Sequence, residues 1–247
     1  MRPRTPDRQE AVDRPVRRRL GHPAQGHRPN NLGFRWFHTE LVDTSRTSWR
    51  NTTHDWASEV DLDHLAQIRR NPGELAPSGL RHLILEVVAY AADEAECNEG
   101  GRCTVTLHPD GSVSVADDGR GTDTRIGEDG RVVKKPIMAS KDLRFFDLPD
   151  AQLLPDGHPR RGMSVVAALS EWLVHINRRG GGAWTQRYES GVPVTDLTQI
   201  TNDGTTGTLV HFRPSAGTAN ALTPQDLQCT MSWPHLSVTI DDQRVHQ

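Results

Sequence analysis

Glu86, Tyr90 and Asp93 stand at i, i+4 and i+7 within the segment Leu80 to Ala95, a spacing that places all three on one side of a helix. A carboxylate so placed can activate water as a general base, and a second can anchor a polar ligand. Acidic residues on a helix are more often only its solvated side, so this spacing alone does not choose between the two. A second group is Asp117-Asp118-Gly119-Arg120-Gly121. It sets carboxylates at the tip of a strand, beside glycines that let the backbone approach a flat ligand. Taken alone it is equally an ordinary acidic turn. A third is Arg160-Arg161-Gly162, just ahead of an apolar segment. Its arginines either hold phosphate by charge at a helix start or lie on the surface.

The elements that must position these residues follow from periodicity. Leu80, Leu83, Ile84, Val87, Val88, Ala91 and Ala95 fall at steps of three and four, an apolar helical stripe with Ser78 expected at its N-cap. A shorter helix is expected over 60–70, ended by Asn71-Pro72-Gly73. Cys103 to His108 and Ser112 to Ala116 alternate, with Pro109-Asp110-Gly111 as the hairpin turn between them. The second strand runs straight into the Asp117 turn. Residues 122–161 form a long polar stretch of the kind used for lids. A second helix is expected from Gly162 to Leu173. Strands follow at Leu173–Asn177, Ala183–Glu189, Thr206–Arg213 and Ser237–Ile240, with a helical stretch over 223–230. This order predicts an α+β fold: a two-layer sandwich of a mixed, mostly antiparallel sheet with helices on one face.

Composition narrows the classes. The chain has 247 residues, 34% of them hydrophobic and 25% charged, and no run approaches the roughly 18 apolar residues that span a bilayer. Three cysteines without a close ligand pair argue against a disulfide framework or zinc site, and a cytoplasmic location is the expectation. The net charge of -3 offers nucleic acid no general attraction. That average hides an N-terminal segment with eleven arginines against six acidic residues, rich in proline and without hydrophobic period. Residues 1–57 are therefore expected to be a basic, disordered extension, and 58–247 the folded domain.

Five ordered stretches carry a resemblance: GLRHLILEVVAYAADEA from Gly79, VTLHPDGSVSVADDGRG, GMSVVAALSEWL, WTQRYESGVP and TGTLVHFRP. Together they resemble the ATPase domain found in the B subunits of DNA gyrase and topoisomerase IV. That domain belongs to the wider group of histidine kinases, mismatch-repair MutL proteins and a stress chaperone. The resemblance covers roughly residues 60–242 and implies a Bergerat-type ATP-binding fold. It implies that Glu86 is the general base for the attacking water and that Asp117 accepts a hydrogen bond from the adenine amino group. It further implies that Thr208 assists at the adenine through a water and that Gly121 permits close packing by the base. Asp93 and Asp118 would lie beside the pocket. Glu94 and Arg120 match a glutamate–arginine pair whose arginine lies near the adenine.

Three departures from that pattern bear on catalysis. The family's helix carries an asparagine that ligates magnesium where this chain has Tyr90, and a phenol is a poor magnesium ligand. The family's glycine-rich lid is reduced to Asp156-Gly157-His158-Pro159-Arg160-Arg161-Gly162, in which Pro159 has no amide to donate. A segment of the nucleotide-gated dimer is reduced to Arg70-Asn71-Pro72-Gly73-Glu74-Leu75 and lacks its tyrosine. The family's transducer domain, with its γ-phosphate lysine, would begin where this sequence ends. The expectation is thus an ATP-binding protein with weak or lost hydrolysis, unable to cleave DNA alone. ATP is the expected ligand and magnesium is in doubt. A protein partner or homodimer, DNA contact only indirectly and no membrane complete the expectation. The alternatives are a competent ATPase subunit or fragment of a type II topoisomerase, and a nucleotide-free interaction domain.

Overall fold

Two short helices, α1 (Leu62–Arg70) and α2 (Pro72–Leu75), lead into the long helix α3 (Leu80–Cys97). This computed structural model describes residues 60–122, 125–126, 132–133, 138, 145 and 151–245. The expected extension at 1–57 and most of the polar stretch before residue 151 lie outside the described residues. α1 is capped by Asp61, whose side chain accepts the His64 N–H, and ends at Asn71, where Pro72 starts a new turn. In α3 the expected stripe is buried throughout, and Leu85 and Ala89 on its other side are buried as well. The helix is therefore packed all round through its middle. Its N-cap is Gly79 rather than Ser78. Gly79 has φ 58, and the Leu80 N–H is accepted by Asn220 Oδ1 at 2.8 Å, a partner 140 positions away.

Strands β1 (Gly101–Leu107) and β2 (Val113–Asp117) form the expected hairpin. A small separate pair follows, β3 (Arg125–Ile126) and β4 (Val132–Val133). Then come α4 (Met163–Ala168), β5 (Ser170–Arg179), β6 (Gly182–Glu189), β7 (Val192–Pro193) and β8 (Thr198–Ile200). β9 (Gly207–Pro214), α5 (Pro224–Gln228) and β10 (Leu236–Asp242) complete the order. The main sheet runs β10-β1-β2-β9-β5-β6-β7, with β8 pairing β6. Every pairing is antiparallel except that of β1 with β10. The α+β expectation is met, with a mixed, mostly antiparallel sheet carrying α3 against β1, β2 and β10 and α4 against β5 and β6.

The clearest departure from the expected elements follows Gly162. The helix expected over 162–173 stops at Ala168, and the chain is already a strand at Ser170. β5 lies between β6 and β9 and pairs with both, so ladder hydrogen bonds on two sides outweigh the local helical spacing of Leu169, Trp172 and Leu173. The position of β9 matters most for function. It enters between the two hairpins with Ala116 opposite Leu209, which brings the start of β9 beside the end of β2. None of the described helices is long and apolar enough to cross a membrane.

Candidate functional site

Glu86 is fully buried in α3, and protein groups hold both of its oxygens. Oε1 accepts the backbone N–H of Arg161, and Oε2 accepts that of Gly162 at 3.0 Å. Gly162 itself takes φ 100 as the chain enters the following helix, which a residue with a Cβ adopts only under strain. His82, one turn earlier, brings Nε2 to 3.5 Å from Glu86 Oε1. The other ring nitrogen, Nδ1, lies 2.8 Å from Asp156 Oδ2. The His82 imidazole thus sits between two carboxylates. Burial alone pushes its pKa down, but the Asp156 and Glu86 carboxylates overcome this and raise it from 6.5 to about 9. The Asp156 carboxyl is held below the usual aspartate range, because its bond to His82 outweighs the opposing effect of burial.

Arg160 meets α3 further along, at Tyr90 and Asp93. Residues 151–160 fold back on themselves: Leu154 donates to the His158 carbonyl and Arg160 to the Gln152 carbonyl, both at 2.8 Å. Leu153 pairs with Pro159 in an isolated bridge. This carries Arg160 inward until it is only 1% exposed. Its Nη1 reaches both oxygens of Asp93, at 3.0 and 2.9 Å, and Gln152 Oε1 at 3.0 Å. The guanidinium carbon lies 4.6 Å from the centroid of the Tyr90 ring, within cation–π range. Arg161 is buried too and donates through Nη1 to the Phe145 carbonyl at 3.0 Å. Neither is a surface arginine.

Asp117 closes β2 and forms a second centre. Its Oδ2 accepts the Thr208 hydroxyl, and its Oδ1 accepts the N–H of Gly119 at 2.9 Å and that of Thr208 at 3.3 Å. Burial pushes this carboxyl up from its ordinary value, while the Thr208 and Gly119 hydrogen bonds pull it back. Two glycines make the approach possible. A Cβ on Gly207 would stand 2.0 Å from the Asp117 carbonyl oxygen, and one on Gly121 (φ 75) would stand 2.2 Å from that of Arg178. Asn177 clasps the turn, its side chain accepting the Thr122 N–H at 2.7 Å and donating to the Thr122 carbonyl at 2.8 Å. Arg120 Nε donates to Glu94 Oε1 at 2.6 Å, which realises the expected pair. Asp118 is bound to Arg102 on β1, through that residue's N–H at 2.7 Å and Nε at 3.0 Å, and lines the neighbouring hollow. A hollow of about 160 Å³ opens here, lined among others by Ala91, Glu94, Asp117, Gly119, Arg120 and Thr206.

The structure therefore joins the expected residues in three groups: Glu86 with the Arg161 and Gly162 amides, Asp93 with Arg160, and Asp117 with Thr208. The residues that sequence reasoning passed over are His82, Asp156 and Asn177. His82 precedes Glu86 by four positions, which was a visible signal for a shared helix face. Asp156 and Asn177 meet their partners across 74 and 55 positions, and no local pattern announces them.

No family model matches the chain. It is similar to curated B subunits of the type II topoisomerases. The B subunit of DNA gyrase from Thermotoga maritima is 39% identical over 158 residues, covering 62% of this chain and 25% of that protein. The B subunit of DNA topoisomerase 4 from Bacillus subtilis is 36% identical over 158 residues, 62% of this chain and 24% of that protein. The mitochondrial DNA gyrase B chain of Arabidopsis thaliana is 32% identical over 192 residues, 71% of this chain and 26% of that protein. The match thus spans about a quarter of the length of these relatives.

Proposed function

We infer that this chain, a relative of the B subunits of DNA gyrase and DNA topoisomerase 4, binds an adenine nucleotide at the Asp117 turn and hydrolyses it weakly or not at all. The observation that carries the binding is the partly buried Asp117 carboxylate beside an open hollow. A carboxylate offers about four acceptor positions, and Gly119 and Thr208 fill three of them. One remains for a ligand N–H such as the adenine amino group. Thr208 and Gly121 complete the cradle, one by fixing the carboxylate and the other by letting the turn close on β5. Arg120, tied to Glu94, lines the same hollow.

Weak hydrolysis is supported by what surrounds Glu86. A general base needs an oxygen directed at the attacking water, and here the Glu86 carboxylate is fully buried, with the backbone N–H groups of Arg161 and Gly162 on its two oxygens. Turnover would require the Arg161–Gly162 segment to move first. Magnesium fits these residues poorly. Tyr90 offers a phenol beneath a fixed guanidinium, and both oxygens of Asp93 are bound by Arg160. No catalytic step is therefore assigned to the metal.

A competent ATPase within a type II topoisomerase is the second reading. It is favoured by the presence of Glu86 and by relatives that are gyrase and topoisomerase 4 subunits. In that role the chain would touch DNA only through other domains or subunits. Calorimetric titration with ADP, comparing the wild type with Asp117→Asn, tests the shared core of both readings. Saturable binding weakened tenfold or more by the substitution supports it, and absence of binding in the wild type overturns it.

A further inference from the structure

We propose that the Arg160 guanidinium is the phosphate-binding group of this site and that nucleotide binding consequently needs no divalent cation. The inference rests on the nucleotide reading above and adds to it which group meets the phosphates.

The starting point is a hydrogen-bond imbalance. Arg160 is only 1% exposed, yet its Nε and Nη2 have no hydrogen-bond partner among the described residues. Buried donors left unpaired carry the full cost of their lost hydration. Asp93 does not relieve it, because Arg160 reaches both Asp93 oxygens and the Gln152 side-chain carbonyl through Nη1. Arginine–carboxylate pairs are frequently bidentate, with two nitrogens on the carboxylate. Here the ion pair uses the end of the group and leaves its side edge unused.

That side edge has a definite chemistry. Nε–H and one N–H of Nη2 lie parallel in the plane of the group, a fork that matches two oxygens of a phosphate or carboxylate. The plane is fixed from three directions: Nη1 by Asp93 and Gln152, the face by the Tyr90 ring at 4.6 Å, and the backbone by the Gln152 carbonyl. Tyr90 and Asp93 belong to the face of α3 that also carries Glu86, and the next residue after Arg160 supplies an amide to Glu86. The fork is thus built, held and, among the described residues, unpaired. A guanidinium is charged at every accessible pH. It supplies by itself positive charge that a divalent ion would otherwise bring, and it already occupies both oxygens of Asp93.

The test uses the full chain, titrated with adenosine, ADP and inorganic phosphate, each with magnesium and with EDTA. Wild type, Arg160→Lys and Arg160→Met are compared, with circular dichroism as the folding control. ADP is expected to bind tenfold or more tighter than adenosine, equally well in EDTA. Both variants, one keeping the charge without the fork, are expected to bring ADP to the affinity that adenosine has for the same variant. Equal wild-type affinity for adenosine and ADP overturns the proposal while leaving the nucleotide reading standing. So does an ADP preference that disappears in EDTA or survives in Arg160→Lys. Absence of binding by adenosine and ADP alike overturns the nucleotide reading and the proposal with it, and tight binding of inorganic phosphate alone would assign the fork to free phosphate. If the variants do not fold, the wild-type comparison of ADP and adenosine in EDTA still decides.

Discussion

Gly162 donates its backbone N–H to Glu86 Oε2 at 3.0 Å, joining the N-cap of α4 to α3 across 76 positions. Arg161 donates its own N–H to the other oxygen, and His82 completes the surroundings at 3.5 Å. The residue implied as the catalytic base therefore also ties the chain at Arg161–Gly162 to α3.

Replacing it should be felt in stability. Glu86→Ala strands two buried amides and the His82 imidazole, a loss of about 3 kcal/mol on the scale of broken buried pairs. Glu86→Gln keeps one carbonyl acceptor and should lose about half as much. Urea unfolding measures both, and an alanine variant as stable as the wild type would show that these contacts do not hold the fold.

The paired carboxylates around His82 give stability a pH dependence of definite sign. A histidine whose folded pKa is about 9 against 6.5 stabilises fully below pH 6.5 and loses that contribution as pH rises through 9. The size is on the order of 3 kcal/mol. Asp156, with its carboxyl held low, acts oppositely: its contribution is present above the ordinary aspartate pKa and fades as pH falls through the lower folded value. Unfolding measured at about pH 6 and about pH 10, on either side of that window, should show the alkaline loss in the wild type. The same loss persisting in His82→Gln would contradict its assignment to His82.

Thr208→Val removes the hydroxyl donor to Asp117 and should weaken nucleotide binding several-fold, with about 1 kcal/mol of stability lost. Because burial raises the Asp117 carboxyl, binding should also begin to fall on acidification above the ordinary aspartate range. Titrations from about pH 7 down to about pH 4.5 check this, and an affinity unchanged to the lowest pH would remove Asp117 as the acceptor.

Gly121→Ala puts a Cβ 2.2 Å from the Arg178 carbonyl at a φ of 75. Two backbone segments cannot both stay in place, so a loss of about 2–3 kcal/mol is expected. Thermal unfolding of this variant, beside Gly180→Ala where nothing lies within 4 Å, separates packing at the turn from a generic glycine effect. Equal losses in the two would argue against the close approach.

The elements built on strong local period were legible in the sequence. The α3 stripe, the β1–β2 hairpin and the Asp117 turn all follow from spacing and turn chemistry, and the structure buries the α3 residues that the stripe named. The segment from Gly162 to Leu173 differs from its expected helix because apolar spacing alone suits a helix there. Pairing with β6 and β9 on both sides decides for strand from Ser170 onward. The location of Arg160 was not legible either. Whether an arginine lies on the surface or inside depends on its partner, and Asp93 stands 67 positions away. The same holds for Asp156, which reads locally as a turn residue and acts as the second carboxylate on His82.

In the function proposed, the fold binds nucleotide while Glu86 is withheld from catalysis. A titration with ATP in magnesium probes both halves at once, with bound nucleotide and released phosphate followed in the same sample. Saturable binding is expected, with phosphate release at or near the background of Glu86→Ala. Failure to bind, or steady release that Glu86→Ala abolishes, would contradict it.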